Sequence, residues 1–287
     1  PTPPSPTPPP ILLRPRYVIQ IVLDVLSKRA SVHEQIEYSN LTGEALTEIV
    51  MAAVPNLWPQ GFQLQEVQVR ERNGVQVRLE GQRLSLALPQ ALKPGESLHI
   101  ELAYQLLLPF AEQKDPNLAR PSIYGYTARQ INLTNWYPFI VPYRKPSGWL
   151  LHDPWFYGEH LVYEAADFEV YLKLEHAGAE WQIAASAPGQ PEGEWEHYSL
   201  SQGRAFVLSL NQGAQVLEEN WKGVQLRSLF FLPYEQGGRA VLQAMRQAIL
   251  AYTAHFGPYP HTTLTAVMGD FNDGMEYSAF FLSLIHI

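Results

Sequence analysis

From Arg16 to about Leu210 the apolar residues recur mainly at every second position. Tyr17, Ile19, Ile21, Leu23 and Val25 alternate, as do Leu84, Leu86 and Leu88, and Phe168, Val170, Leu172 and Leu174. Successive strand side chains point to opposite faces, so each set lines one face of a strand. Leu98, Ile100, Leu102, Tyr104, Leu106 and Leu108 form the longest such run, which predicts a strand with one fully buried face. Val75, Val77 and Leu79 follow Asn73-Gly74, a dipeptide that suits a hairpin turn. Pro94-Gly95 and Gly43 are further turn signals. Many short strands with turns between them predict an antiparallel sandwich or open barrel.

The period changes near residue 237. Val241, Ala244, Met245, Ala248, Ile249, Tyr252 and Phe256 recur at spacings of three and four, which predicts a helix with an apolar stripe. Gly237 and Gly238 precede it. Gly257-Pro258 stops it, because glycine suits the position after the last turn and proline cannot continue a helix. Strand signals flank it at Val224 to Leu232 and Thr263 to Met268. This β-α-β order differs from everything upstream, so a domain boundary is expected near Asn211 to Gly223. No repeat of 20–50 residues is visible.

Composition narrows the class. Of 287 residues, 46% are hydrophobic and 17% charged, as in a globular protein. No apolar run reaches the ~18 residues that cross a bilayer. The net charge of −8 argues against a nucleic-acid partner, which needs a basic face. Cysteine is absent, which excludes disulfides, a thiol nucleophile and thiolate metal sites. The span Tyr124 to Tyr171 holds 13 aromatics in 48 residues, among them Trp136, Tyr137, Trp149, Trp155, Phe156 and Tyr157. Such enrichment suits a ligand groove or an interdomain surface, and equally ordinary packing under a long loop.

Both termini are unusual. Seven of the first ten residues are proline, which favours an extended polyproline spacer. Such a tether is expected in an exported, envelope-anchored protein, and it also suits any interdomain linker. The final hexapeptide, Leu282 to Ile287, is also the translation of CTGTCTCTTATACACATC. That string resembles a transposase end used in preparing sequencing libraries. The natural reading frame is therefore expected to break near Phe281, the alternative being a genuine apolar strand.

Candidate chemistry is sparse. His33-Glu34-Gln35-Ile36-Glu37 begins like the zinc motif HExxH, but Glu37 stands where the second histidine is required, so no metal site is expected there. The other histidines are scattered, and no nucleophile elbow, phosphate loop or dinucleotide fingerprint occurs. Asn272-Asp273-Gly274-Met275-Glu276-Tyr277 stands apart. Glycine there lets the backbone approach a ligand, and the Glu276 carboxylate suits an amine through a charge-assisted hydrogen bond. An exposed turn with a solvated glutamate fits the same residues.

At these residues the sequence resembles the aminopeptidase N family of zinc metallopeptidases, gluzincins that include leukotriene-hydrolase-type members. Gly274-Met275-Glu276-Tyr277 resembles the family's G-x-M-E-N element, with Tyr277 in place of Asn and Asp273 where Gly or Ala is usual. Phe256-Gly257-Pro258-Tyr259-Pro260 resembles F-G-x-Y-P. Tyr38-Ser39-Asn40, Leu92-Lys93-Pro94-Gly95-Glu96 and Asn135-Trp136-Tyr137-Pro138 resemble further family segments, in the family's order.

The resemblance implies a mainly β fold: a saddle-like antiparallel β-sandwich N-terminal domain, then the truncated start of an α+β thermolysin-like catalytic domain. On it, residues 1–15 are a Pro-rich linker, 16–215 the β-domain, 216–281 the start of the catalytic domain and 282–287 foreign sequence. It implies a substrate site of Gly274, Met275 and Glu276, with Glu276 anchoring the free α-amine of a peptide. Gln130 lies near a position where some members contact the same amine. Zinc, its HExxH ligands, the general base and the transition-state Tyr are expected downstream. This chain therefore holds no catalytic residue and no metal ligand, and is expected to hydrolyse nothing alone. The implied whole is an exported metallo-aminopeptidase. Its rivals are a non-catalytic scaffold of the same fold and a carbohydrate-binding sandwich using the Trp-rich region.

Overall fold

The computed structural model describes residues 14–70, 72–111, 123–155, 159–270 and 274–283. The proline-rich start, Phe156, Tyr157, Asp273 and residues 284–287 lie outside the described residues.

Most of the chain up to Gln212 forms β-sheets. The largest has seven strands, in the order Gly189–Glu192, Trp195–Gly203, Ala166–Glu175, Arg16–Asp24, Arg29–Ser39, Ser97–Leu107 and Phe62–Val69. Its pairs are antiparallel except Arg16–Asp24 with Ala166–Glu175, which run parallel. Parallel neighbours need a long crossover. Here that connection holds three other strands of the same sheet and all four strands of a second sheet, so the sandwich is not purely antiparallel. The sheet Phe139–Ile140, Leu46–Ala52, Arg83–Leu92, Gln76–Glu80 packs its apolar face on the seven-stranded sheet. The other is Trp181–Ala185, Leu208–Gln212, Gln130–Leu133 and Gly125–Tyr126.

Alternation predicts the core well. Leu98, Ile100, Leu102, Tyr104 and Leu106 are buried on one face, packed with Ile19, Ile21, Leu84, Leu86 and Phe168. The turn at Asn73-Gly74 is real, with Gly74 at φ 76°. It does not close a hairpin. Phe62–Val69 pairs with Ser97–Leu107, whereas Gln76–Glu80 pairs with Arg83–Leu92 in another sheet. A positive φ permits a tight turn, but pairing follows the buried face. Gln76–Glu80 is an edge strand, and its Val77 is 43% exposed.

After Gln212 the chain builds a separate five-stranded mixed sheet: Gln215–Trp221, Val224–Phe230, Thr263–Met268, Phe280–Ser283 and Met275–Tyr277. The predicted β-α-β unit is Val224–Phe230, the helix Glu235–Phe256 and Thr263–Met268, with its two strands parallel. Leu282 and Ser283 continue the strand Phe280–Ser283, and Leu282 is buried.

Two details of the helix differ from expectation. Its sheet-facing residues are Gly238, Leu242, Met245 and Ile249, while Tyr252 and Phe256 are exposed. Met245 and Ile249 of the predicted stripe thus face the sheet, while its Ala244, Ala248, Tyr252 and Phe256 flank an open apolar groove of about 720 Å³, walled opposite by Leu264, Tyr277, Phe280 and Phe281. Gly237 and Gly238 lie inside the first turns rather than before them. Gly238 is there because a Cβ at this position would stand 2.5 Å from the ring of buried Phe230. In an open helix Gly→Ala adds about 0.5–1 kcal/mol of stability. Here the clash wins, and Gly238→Ala is expected to lower stability by about 1–2 kcal/mol. A denaturation midpoint that rises instead would show that the Phe230 ring can retreat.

Candidate functional site

Strand Thr263–Met268 leaves the sheet at Gly269 and Asp270, and the chain is next described at Gly274. Met275–Tyr277 then pairs antiparallel with Phe280–Ser283 and forms the sheet's outer edge. Period-two alternation decides which side each residue faces. Met275 and Tyr277 pack against the cluster of Val267, Phe280 and Leu282. Glu276 lies between them and is exposed. Gly274 is not required by crowding within the chain, since a Cβ there would meet only the Leu282 carbonyl at 3.4 Å.

Glu276 lines the apolar groove and also a smaller cavity of about 230 Å³. The second cavity joins the edge strand to a loop of the β-rich part. Its walls include Trp155, Glu159, His160 and Tyr163. The Tyr163 hydroxyl donates to Asn135 Oδ1 at 2.7 Å, and Asn135 holds a left-handed turn at φ 52°. The His160 Nε2 is buried without a hydrogen-bond partner among the described residues. Burial, and secondarily the nearby His152, push the His160 imidazole below its ordinary pKa. Burial pushes the Tyr277 phenol well up, with the Thr134 hydrogen bond opposing it. The cavity therefore presents two carboxylates, a neutral imidazole and aromatic walls, a set that attracts a cation.

Gln130 is placed elsewhere. Its carboxamide is fully buried. Nε2 donates to Asn211 Oδ1 and to the Met268 carbonyl, both at 2.7 Å, and Oε1 accepts the Asp270 N–H at 2.8 Å. Both Nε2 hydrogens are thus engaged within the protein, and Gln130 lines neither cavity that holds Glu276. It clamps the exit of strand Thr263–Met268. Arg129 adds to the clamp: its guanidinium donates to Asp270 from Nε at 2.8 Å and from Nη2 at 2.5 Å, while lying 3.7 Å from the Phe231 ring centroid. Thr127 Oγ1 donates to the other Asp270 oxygen at 2.9 Å.

The structure thus keeps Gly274, Met275 and Glu276 together by chain continuity and separates Gln130 from them. Glu159 and His160 carry no motif in the sequence. The only sequence signal near them is the aromatic enrichment, and that signal is mixed. Trp136 and Tyr137 are core residues, with Trp136 Nε1 donating to the Phe206 carbonyl at 3.2 Å. Trp155 is 78% exposed and lines the cavity.

Zinc does not fit the described residues. Among the described residues no three His, Asp or Glu side chains come together as a ligand set. The HExxH-like segment lies on strand Arg29–Ser39, where Glu34 faces the core and His33 faces outward. No described helix is long and apolar enough to cross a membrane.

No protein-family model matches the chain, and no curated protein matches it in sequence. Solved structures do match. A variant of a two-domain M1 zinc metallopeptidase aligns with a TM-score of 0.58 at 15% identity, over 93% of this chain and 59% of that one. An M1 zinc metallopeptidase variant from Deinococcus radiodurans, bound to a Tyr-Ser-Ala substrate, aligns at 0.57 and 16% identity, over 93% and 60%. The M1 zinc metallopeptidase from the same organism aligns at 0.56 and 14%, over 93% and 59%. The chain thus spans about three fifths of the length of these proteins. At such identities the likeness is one of fold, and that fold is mainly β and M1-peptidase-like.

Proposed function

We propose that this chain is the N-terminal portion of a zinc-dependent aminopeptidase and supplies the anchor for the substrate's free α-amine. The observation that carries the reading is the setting of Glu276. Its carboxylate stands on an open edge strand beside a cavity of about 230 Å³. An edge strand offers unpaired backbone groups to an extended peptide, and the carboxylate fixes which end of that peptide arrives first. Holding the amine there positions the first peptide bond for cleavage. The M1 neighbour that binds Tyr-Ser-Ala supports a peptide as the ligand class. In this reading zinc and its ligands come from polypeptide beyond these residues. The protein works outside the cytoplasm, with the proline-rich start as its tether.

The test uses the longer parent protein. Glu276→Gln keeps the shape and removes the charge. A charge-assisted hydrogen bond contributes about 1.5–3 kcal/mol, so kcat/KM on free-amine dipeptides should fall about 10–100-fold. Unchanged kcat/KM in the variant removes the anchoring role. A parent protein that binds free-amine peptides through Glu276 but cleaves none of them supports a non-catalytic scaffold instead.

A further inference from the structure

Among the described residues, the cavity beside Glu276 is lined by two acidic side chains, Glu159 and Glu276, one more than a substrate amine balances. This step rests on Glu276 as the α-amine anchor. With Glu276 paired in that way, Glu159 remains. It is exposed on the cavity wall and makes no ion pair among the described residues. Its charge raises the cost of ionising both Tyr163 and Tyr277, which places it close to both phenols. Among the described residues no Lys or Arg lines the cavity. His160 does not supply the missing charge, because burial favours its neutral form.

The remaining walls suit a cation as well. Trp155 and Tyr163 present aromatic rings, whose faces attract ammonium and guanidinium groups. The apolar flank made by Leu161 and Met275 suits a methylene stem beneath such a head. We propose that this cavity takes the cationic side chain of the substrate's first residue, with Glu159 as its counter-ion and Trp155 and Tyr163 as its walls. The substrate class is then peptides that begin with lysine or arginine.

The experiment measures binding to the full chain by calorimetry with three amides. Lysinamide carries both cations. Norleucinamide has the same stem without the ε-ammonium. Nα-acetyl-lysinamide lacks the α-amine. An ion pair on a partly exposed carboxylate contributes up to about 1 kcal/mol, so lysinamide should bind about fivefold more tightly than norleucinamide. Glu159→Gln should erase that difference and leave norleucinamide unchanged. Glu159→Lys should make norleucinamide the better ligand. Both changes are at an exposed loop position, and circular dichroism checks that the fold is kept. Equal affinities in the unaltered chain, a preference that survives Glu159→Gln, or no lysinamide binding each overturn the proposal. If free-amine ligands bind through Glu276 without preference, only the specificity is wrong. If Nα-acetyl-lysinamide binds as well as lysinamide, the amine-anchoring reading fails, and the specificity fails with it.

Discussion

Arg129→Ala is expected to lower stability by about 2–3 kcal/mol, more than any other single change in the clamp. The reason is what it leaves behind. Asp270 is 13% exposed at its side chain and would lose its guanidinium partner while keeping the Thr127 hydrogen bond. Breaking a fully buried pair costs about 3–5 kcal/mol, but Arg129 is 40% exposed, so solvent already screens part of the interaction. The loss of the stack on Phe231 adds about 0.5–1 kcal/mol. Asp270→Asn should be milder, at about 1 kcal/mol, because Arg129 can return to water and the amide oxygen still accepts. Chemical denaturation of the two variants checks the asymmetry. Equal or negligible losses would mean that the clamp is a solvated surface pair. Gln130 holds the same strand exit from the other side, so hydrogen exchange in Thr263–Met268 should quicken in the Arg129 variant.

That clamp shows where sequence stops being informative. Gln130 stands out near a recognisable segment, yet its partners Asn211 and Met268 are 81 and 138 residues away. Nothing local says that its amide is already saturated. Strand alternation is legible because it is local: each buried residue from Leu98 to Leu106 reports the same face. Which strands then pair is not local, so Asn73-Gly74 looks like a hairpin although its flanking strands belong to different sheets. Glu276 is legible only through its motif neighbours. Glu159 and His160 are ordinary loop residues until folding brings them beside an edge strand more than 100 positions later. The helix was legible as a helix and half of its sheet-facing side with it, through Met245 and Ile249; Gly238 carries no apolar signal, and the aromatic Tyr252 and Phe256 drew the stripe away from Leu242.

Glu34 gives the second large expected effect, and it too hides in a regular pattern. It occupies a core-facing position of strand Arg29–Ser39, between Val32 and Ile36, and is fully buried. Its Oε2 accepts the Tyr104 hydroxyl at 3.0 Å, and its Oε1 has no partner among the described residues. Burial holds its pKa well above the ordinary 4.5, and the Tyr104 hydrogen bond only partly opposes this. Tyr17 and Tyr137 are the other titratable groups that sense its charge, and burial keeps both phenols neutral. Just above pH 4.5, where the unfolded chain's glutamate has ionised, the folded chain therefore still holds the proton at Glu34.

The sign follows from proton counting. Above pH 4.5 the unfolded state binds fewer protons at Glu34 than the native state, so this residue's contribution falls as pH rises. The slope reaches about 1.4 kcal/mol per pH unit and ends where the buried acid itself ionises. Asp24 and Asp167 act in the opposite sense, but their pKa values lie below the ordinary 3.8, so their change comes at lower pH. His160 and His261, both lowered by burial, oppose Glu34 below pH 6.5. The informative quantity is therefore the difference between variant and unaltered chain, in which these terms cancel. Glu34→Gln should be near neutral at pH 5, where it exchanges one unsatisfied O–H for amide hydrogens. At pH 8 it should be more stable than the unaltered chain by about 1–3 kcal/mol. Glu34→Leu with Tyr104→Phe should gain at least as much, because removing both partners leaves no orphaned polar group. Urea denaturation at pH 5, 6.5 and 8 supplies the curve. A flat difference would mean that Glu34 reaches water or an undescribed partner in the folded chain, and that the strand carries a solvated charge where its burial requires a neutral acid.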